Sequence, residues 1–174
     1  MRKTKKTTLS AMIVALSVAV MALGAVFEVM DLSVCALASL FVAFVFIEVG
    51  SPYTFLVWIC TSIITFIFFP ASMVSLEYLL IFGIYPTLKG YIERLNRKLW
   101  WLLKLIYANA VILALIFLSK LITGLPFFET DSKLIISGLY IVLNVAFVLY
   151  DIFLTVLIRF YMSRLRARFK KFLK

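Results

Sequence analysis

The chain contains no histidine, only two cysteines and four prolines, and just eight acidic residues in 174. Without histidine the commonest general base and metal ligand is missing, which removes most simple hydrolase readings. Cys35 and Cys60 lie singly inside apolar runs, without metal-ligand or redox spacing, and read as small core residues. Charge of either sign is scarce: 15% of residues are charged, too few to solvate a globule of this length. No G-x-x-x-x-G-K-[ST] loop is present, so the chain carries no such nucleotide cradle.

Apolar residues are what it has. They make up 65% of the sequence, with a mean hydropathy of +1.13. Soluble domains hold nearer about 45–50% apolar residues, so the excess implies a second apolar surface that faces lipid. The length suits one membrane domain, 1–174. A spanning helix needs roughly 17–25 apolar residues, and six segments qualify: 9–27, 32–49, 52–69, 71–88, 100–122 and 134–160. The first follows Arg2, Lys3, Lys5 and Lys6 and so imitates a secretory signal. It is nevertheless long enough to span, and it ends without a clear small-residue cleavage site, which predicts a retained helix. The breaks have physical causes: polar residues from Glu28 to Asp31, the terminator–starter sequence Gly50-Ser51-Pro52, Pro70, and Gly124-Leu125-Pro126 leading into Glu129, Asp131 and Lys133.

The net charge of +10 invites a nucleic-acid reading, but the distribution favours membrane orientation. The N-terminal segment, the fourth connection through Lys104 and the tail from Arg159 hold 16 of the 18 Lys and Arg residues. All three lie on one side of a six-helix topology, which predicts both termini in the cytoplasm. Basic residues split into three juxtamembrane pieces do not make one nucleic-acid-binding face. The expected fold is therefore an all-α bundle of about six transmembrane helices, multi-pass in the cell (plasma) membrane, with a basic tail over 161–174. Two cytoplasmic stretches carry apolar stripes between basic residues: Ile92, Leu95 and Leu99, with Glu93 set to pair with Arg97, and Met162, Leu165, Phe169 and Phe172. Both read as interfacial segments that bind anionic lipids or a cytoplasmic partner.

Polar groups within the spans are the candidate site, because burying them in hydrocarbon is costly. Glu77 lies six residues into the fourth span, roughly 9 Å below its outer end. Asn109 and Asn144 fall near mid-depth, and Tyr140, Asn144, Phe147 and Asp151 share one helical face. Glu77, Asn109, Tyr140 and Asn144, with Trp58 from the third span, are the expected lining of an outward-opening pocket for a small molecule. For the two asparagines, hydrogen bonding between helices is an equal alternative. Asp151 is expected to be structural, with Arg159, Lys104 or Tyr107 in reach. Glu48 is expected at the interface. Trp100 and Trp101 fit an aromatic belt, and Phe66, Phe68 and Phe69 fit lipid-facing packing. No metal site, cofactor site or paired acid–base arrangement is visible, so an enzyme ranks last.

The first span carries Ala11, Ala15, Ala19 and Ala22 at intervals of four, four and three. The result is a continuous small-residue stripe that allows close helix approach, either by another helix of this chain or by a different protein. A short six-helix chain with a basic N-terminus and an alanine-striped first helix resembles the substrate-binding S components of energy-coupling factor (ECF) transporters. The resemblance rests on Ala11-x3-Ala15-x3-Ala19, with the Gly50-Ser51-Pro52 turn compatible. It implies a micronutrient- or vitamin-capturing subunit that pairs, through Ala11, Ala15 and Ala19, with a transmembrane coupling protein and cytoplasmic ATPases, and that reorients in the membrane. The alternative is a non-transporting membrane scaffold or assembly factor for the cell envelope or a complex.

Overall fold

The computed structural model describes residues 3–27, 30–70, 72–122 and 133–166. Every described element is helical: α1 Lys3–Val26, α2 Asp31–Glu48, α3 Ser51–Phe68, α4 Met73–Glu77, α5 Tyr85–Ile92, α6 Arg97–Ile122 and α7 Lys133–Phe160. A π-helical turn, Tyr78–Phe82, joins α4 towards α5, and a second, Tyr161–Leu165, prolongs α7. Five helices (α1, α2, α3, α6 and α7) are long and apolar enough to cross a membrane. The remaining traverse, fourth in order, is the broken pair α4–α5. The protein is an all-α, six-helix, multi-pass membrane bundle. Its outer surface is apolar: Leu134, Ile67, Phe117 and Leu121 are each at least 70% exposed, the pattern expected where lipid replaces water.

Contacts between helix ends agree on one sidedness. Lys6 in α1 lies 5.8 Å from the ring centroid of Tyr53, at the start of α3. Glu48, ending α2, pairs with Arg166 at 3.1 Å and accepts from the Tyr161 hydroxyl at 3.2 Å, beyond the end of α7. These ends carry the basic segments and form the cytoplasmic face. Gly50 makes the α2–α3 reversal possible with φ of 107°, a conformation that a side chain resists. Its N–H bonds back to the Val45 carbonyl, and Pro52 starts α3.

The alanine stripe is not what packs α1 into the bundle. Ser10, Ile13, Ser17, Met21 and Gly24 are its buried positions, turned to α2 and α3. At Gly24 an added Cβ would lie 3.1 Å from Val34, so the small residue sets the approach of α2. Ala11, Ala15 and Ala19 are exposed, and Ala22 is half-buried.

Two sequence expectations need correction. The fourth span was expected as one helix over 71–88 but breaks in its middle. The π turn shifts the register, with Gly83 N–H bonding to the Tyr78 carbonyl at 2.7 Å, and Pro86 has no N–H to continue the ladder. The freed carbonyls are satisfied from neighbouring helices: Trp58 Nε1 donates to Leu79 O at 3.1 Å, and the Tyr107 hydroxyl donates to Leu80 O at 2.6 Å. Such breaks persist in lipid only when the backbone is satisfied in this way. Secondly, 89–99 is not one interfacial segment. The helix α5 ends at Ile92, a turn follows, and Lys89 is buried at 1% exposure. Glu28, Ala71, the 124–126 turn, Glu129, Asp131, Phe169 and Phe172 lie outside the described residues.

Candidate functional site

The polar groups fall into three places at different depths. The innermost is a charge cluster closing the cytoplasmic half of the bundle. Breaking the fourth traverse lets α5 carry Tyr85 and Lys89 inward on one face, four residues apart. There they meet Asp151 of α7. The Asp151 carboxylate accepts from the Tyr85 hydroxyl at 2.6 Å and from Lys104 Nζ of α6 at 2.8 Å, and it forms an ion pair with Lys89. Both lysines also reach Glu93 Oε1, at 2.8 Å from Lys89 and 2.9 Å from Lys104. Lys104 and Asp151 are 6% and 5% exposed. Two cations and two carboxylates therefore balance, as groups taken out of water require. Burial alone would raise the Glu93 carboxyl, but hydrogen bonds from Lys89 and Lys104 outweigh it and hold Glu93 below its ordinary value.

This cluster bears on two sequence expectations. Asp151 was expected to have Arg159, Lys104 or Tyr107 in reach; Lys104 is its partner, while Lys89 and Tyr85 were not anticipated and take the remaining contacts. The Glu93 carboxylate receives Lys89 and Lys104; the side chain of Arg97, its expected partner, lies outside the described residues.

Outward of the cluster lies an aromatic layer. Tyr85 stacks on Tyr107 with ring centroids 5.5 Å apart, and it meets Phe147 edge-on at 4.8 Å. Phe82 meets Tyr150 edge-on at 4.9 Å. Such pairs prefer these offset and edge arrangements, and here they knit α5, α6 and α7 together.

Beyond that layer is a cavity of about 390 Å³, between α2, the broken fourth traverse, α6 and α7. Its walls are apolar, with Ala36, Ile81, Ala108, Ile112, Leu143 and Phe147 among them. Glu77 is the one charged residue among the described residues lining it. Glu77 is 8% exposed, and its Oε2 has no hydrogen-bond partner among the described residues. A carboxylate in such surroundings needs a cation, a proton or water.

The remaining candidates are not at this cavity. Asn109 and Tyr140 form a direct link between α6 and α7, with the Tyr140 hydroxyl donating to Asn109 Oδ1. Asn109 Nδ2 donates to Leu105 O, and Asn144 Nδ2 donates to Tyr140 O. None of these three lines the cavity. Trp58 is occupied with the carbonyl of Leu79 and packs where a Cβ on Gly83 would lie 2.4 Å from its ring. The aromatic wall of the cavity, by contrast, is Phe82, Phe147, Tyr150 and Phe153. Sequence reasoning missed these rings because nothing in an apolar run tells a cavity-facing ring from a lipid-facing one. The spacing of Phe147, Tyr150 and Phe153 by three was the available signal.

Among the described residues no cluster of three or more His, Cys, Asp or Glu could hold a metal ion. No family model, curated protein or solved structure matches the chain.

Proposed function

We propose that this protein is the substrate-binding subunit of a membrane transporter that takes up a micronutrient- or vitamin-sized molecule, with energy supplied by partner ATPases. The observation that carries the reading is the cavity: a space of about 390 Å³ in the outer half of the bundle, where Glu77, the one charged residue among the described lining residues, is buried with an oxygen that has no partner among them. Ligand sites are commonly apolar concavities with a few placed polar groups, and an ionisable group within a membrane span is a default functional residue. Glu77 is the residue of the sequence-based pocket that this reading keeps; Phe82, Phe147, Tyr150 and Phe153 replace Asn109, Tyr140, Asn144 and Trp58 as its lining.

A partner subunit enters by two routes. The chain has no phosphate-cradling loop of its own, and α1 leaves Ala11, Ala15 and Ala19 exposed to the membrane, where a second helix can approach closely. The resemblance to ECF S components assigns that face to a coupling protein. The test is native mass spectrometry of the protein purified from its own membranes, together with a thermal-shift screen of water-soluble vitamins. A co-purifying small molecule, or a stabilising vitamin whose effect Glu77→Gln removes, supports the reading; absence of both defeats it.

The exposed alanine face also favours the second reading, a membrane scaffold that assembles other proteins without carrying a solute. Cross-linked partners decide between the two: a coupling protein with ATPases marks transport, and envelope-synthesis proteins mark the scaffold.

A further inference from the structure

From the lining of the Glu77 cavity we infer its selectivity: it takes a monocation, a molecule with an apolar or aromatic body and one positively charged head placed beside Glu77. The inference rests on the solute-binding reading above and names the substrate class for that site.

Three observations carry it. First, the lining is unbalanced in sign. Among the described residues it contains Glu77 and neither Lys nor Arg, so a bound anion would meet a carboxylate with no compensating cation among them. Second, Glu77 Oε2 is buried and unpartnered. The cluster at Asp151 shows how this fold treats buried carboxylates elsewhere, by surrounding them with lysines and a tyrosine. At Glu77 no lysine is among the described residues of the cavity wall, and a ligand cation supplies the missing charge. Third, four of the lining residues are rings (Phe82, Phe147, Tyr150 and Phe153). Aromatic faces attract cations, more strongly where water is excluded, so rings and carboxylate favour the same sign. A divalent metal ion does not fit, because the rest of the wall is apolar carbon rather than the oxygen-rich shell such ions require.

The test uses two probes of nearly the same shape and opposite charge, tetraphenylphosphonium and tetraphenylborate. Each is measured separately by equilibrium dialysis against the full-length protein in phosphatidylcholine nanodiscs and against empty discs. The expected result is saturable tetraphenylphosphonium binding in excess of empty discs, at least tenfold weaker in Glu77→Gln and abolished in Ala146→Phe. Tetraphenylborate should show no saturable excess. Ala146 is an exposed lining residue, so its replacement fills the cavity without disturbing the core. Ala36→Phe narrows the opposite wall as an independent check. If both probes bind alike and Ala146→Phe blocks both, or if Glu77→Gln binds the cation undiminished, the cation assignment is overturned while the cavity stands as a site. If neither probe shows a saturable excess, or neither Ala146→Phe nor Ala36→Phe matters, the cavity reading falls and the inference with it.

Discussion

Replacing Asp151 by Asn should be among the most destabilising isosteric changes in this protein. Asparagine keeps the shape and can still accept from Tyr85, but it removes one of the two negative charges that offset Lys89 and Lys104. Those lysines are 1% and 6% exposed, and Glu93 alone then serves both, with about a third of its side chain in solvent. Breaking a buried pair from one side costs about 3–5 kcal/mol, because the penalty is the stranded charge rather than the lost attraction. Since Glu93 remains within reach of both lysines, the lower end applies, about 3 kcal/mol. The assay is a reversible unfolding titration in mixed micelles, run as a double-mutant cycle with Lys104→Met. Lys104→Met alone strands Asp151 in part and should also destabilise. The double variant keeps Lys89 with Glu93 and should recover at least half of the Asp151→Asn loss. If Asp151→Asn lies within about 1 kcal/mol of the parent, or if the double variant is simply the sum of the singles, the cluster is not a closed charge balance and the argument fails.

Three further outcomes test the fold. Trp58→Phe removes the donor to Leu79 O and leaves a carbonyl of the broken traverse unsatisfied, so it should cost about 1–3 kcal/mol; a neutral result in the same titration would mean that water or another group caps that carbonyl. Gly50→Ala places a side chain at φ of 107° and should lower stability by about 1 kcal/mol or more, which a thermal scan in detergent would detect against a neighbouring Ser51→Ala control. Ala15→Leu and Ser17→Leu lie on opposite sides of α1, exposed and fully buried respectively. The first should leave the isolated protein's melting temperature unchanged yet reduce partner capture in membranes, whereas the second should destabilise the isolated protein.

The bundle was legible in the sequence because lipid imposes simple rules. Apolar runs of spanning length, and 16 of 18 Lys and Arg residues on one side, specify helices and orientation with little help from packing. Of the charge cluster only the Lys104–Asp151 pair was legible, and the place of Lys89 was not, for an equally physical reason. Lys89 follows the apolar run 71–88 and was therefore counted with the cytoplasmic cations. The break at Gly83 to Pro86 instead turns α5 so that Lys89 points into the bundle, where Asp151 and Lys104 wait from helices far apart in sequence. Pro86 inside an otherwise continuous apolar run was the signal that the span does not continue as one helix. The alanine stripe illustrates a second limit. Two small-residue faces run along α1, and sequence alone does not say which one the chain uses; the serine–glycine face is buried and the alanine face is left over.

The order of the layers bears on how a solute bound at Glu77 would leave inward. Below the cavity lie the rings of Phe147, Tyr150, Tyr85 and Tyr107, and below those the four-charge cluster. A path through the chain would part the aromatic layer and separate Lys89 and Lys104 from Asp151. At about 3–5 kcal/mol for each buried pair broken without replacement, that opening is costly without a second ligand to rebalance the charges. Moving the whole bundle leaves both layers intact and requires a partner to hold it, which is where the exposed alanine face of α1 fits. Under the transport reading proposed above, the two routes make opposite predictions for the Asp151→Asn, Lys104→Met double variant, which loosens the cluster while leaving Lys89 with Glu93. Movement of the whole bundle leaves uptake by partner-containing membranes unchanged; a path through the chain makes it faster. Faster uptake by the double variant at an equal level of folded protein would overturn the whole-bundle argument.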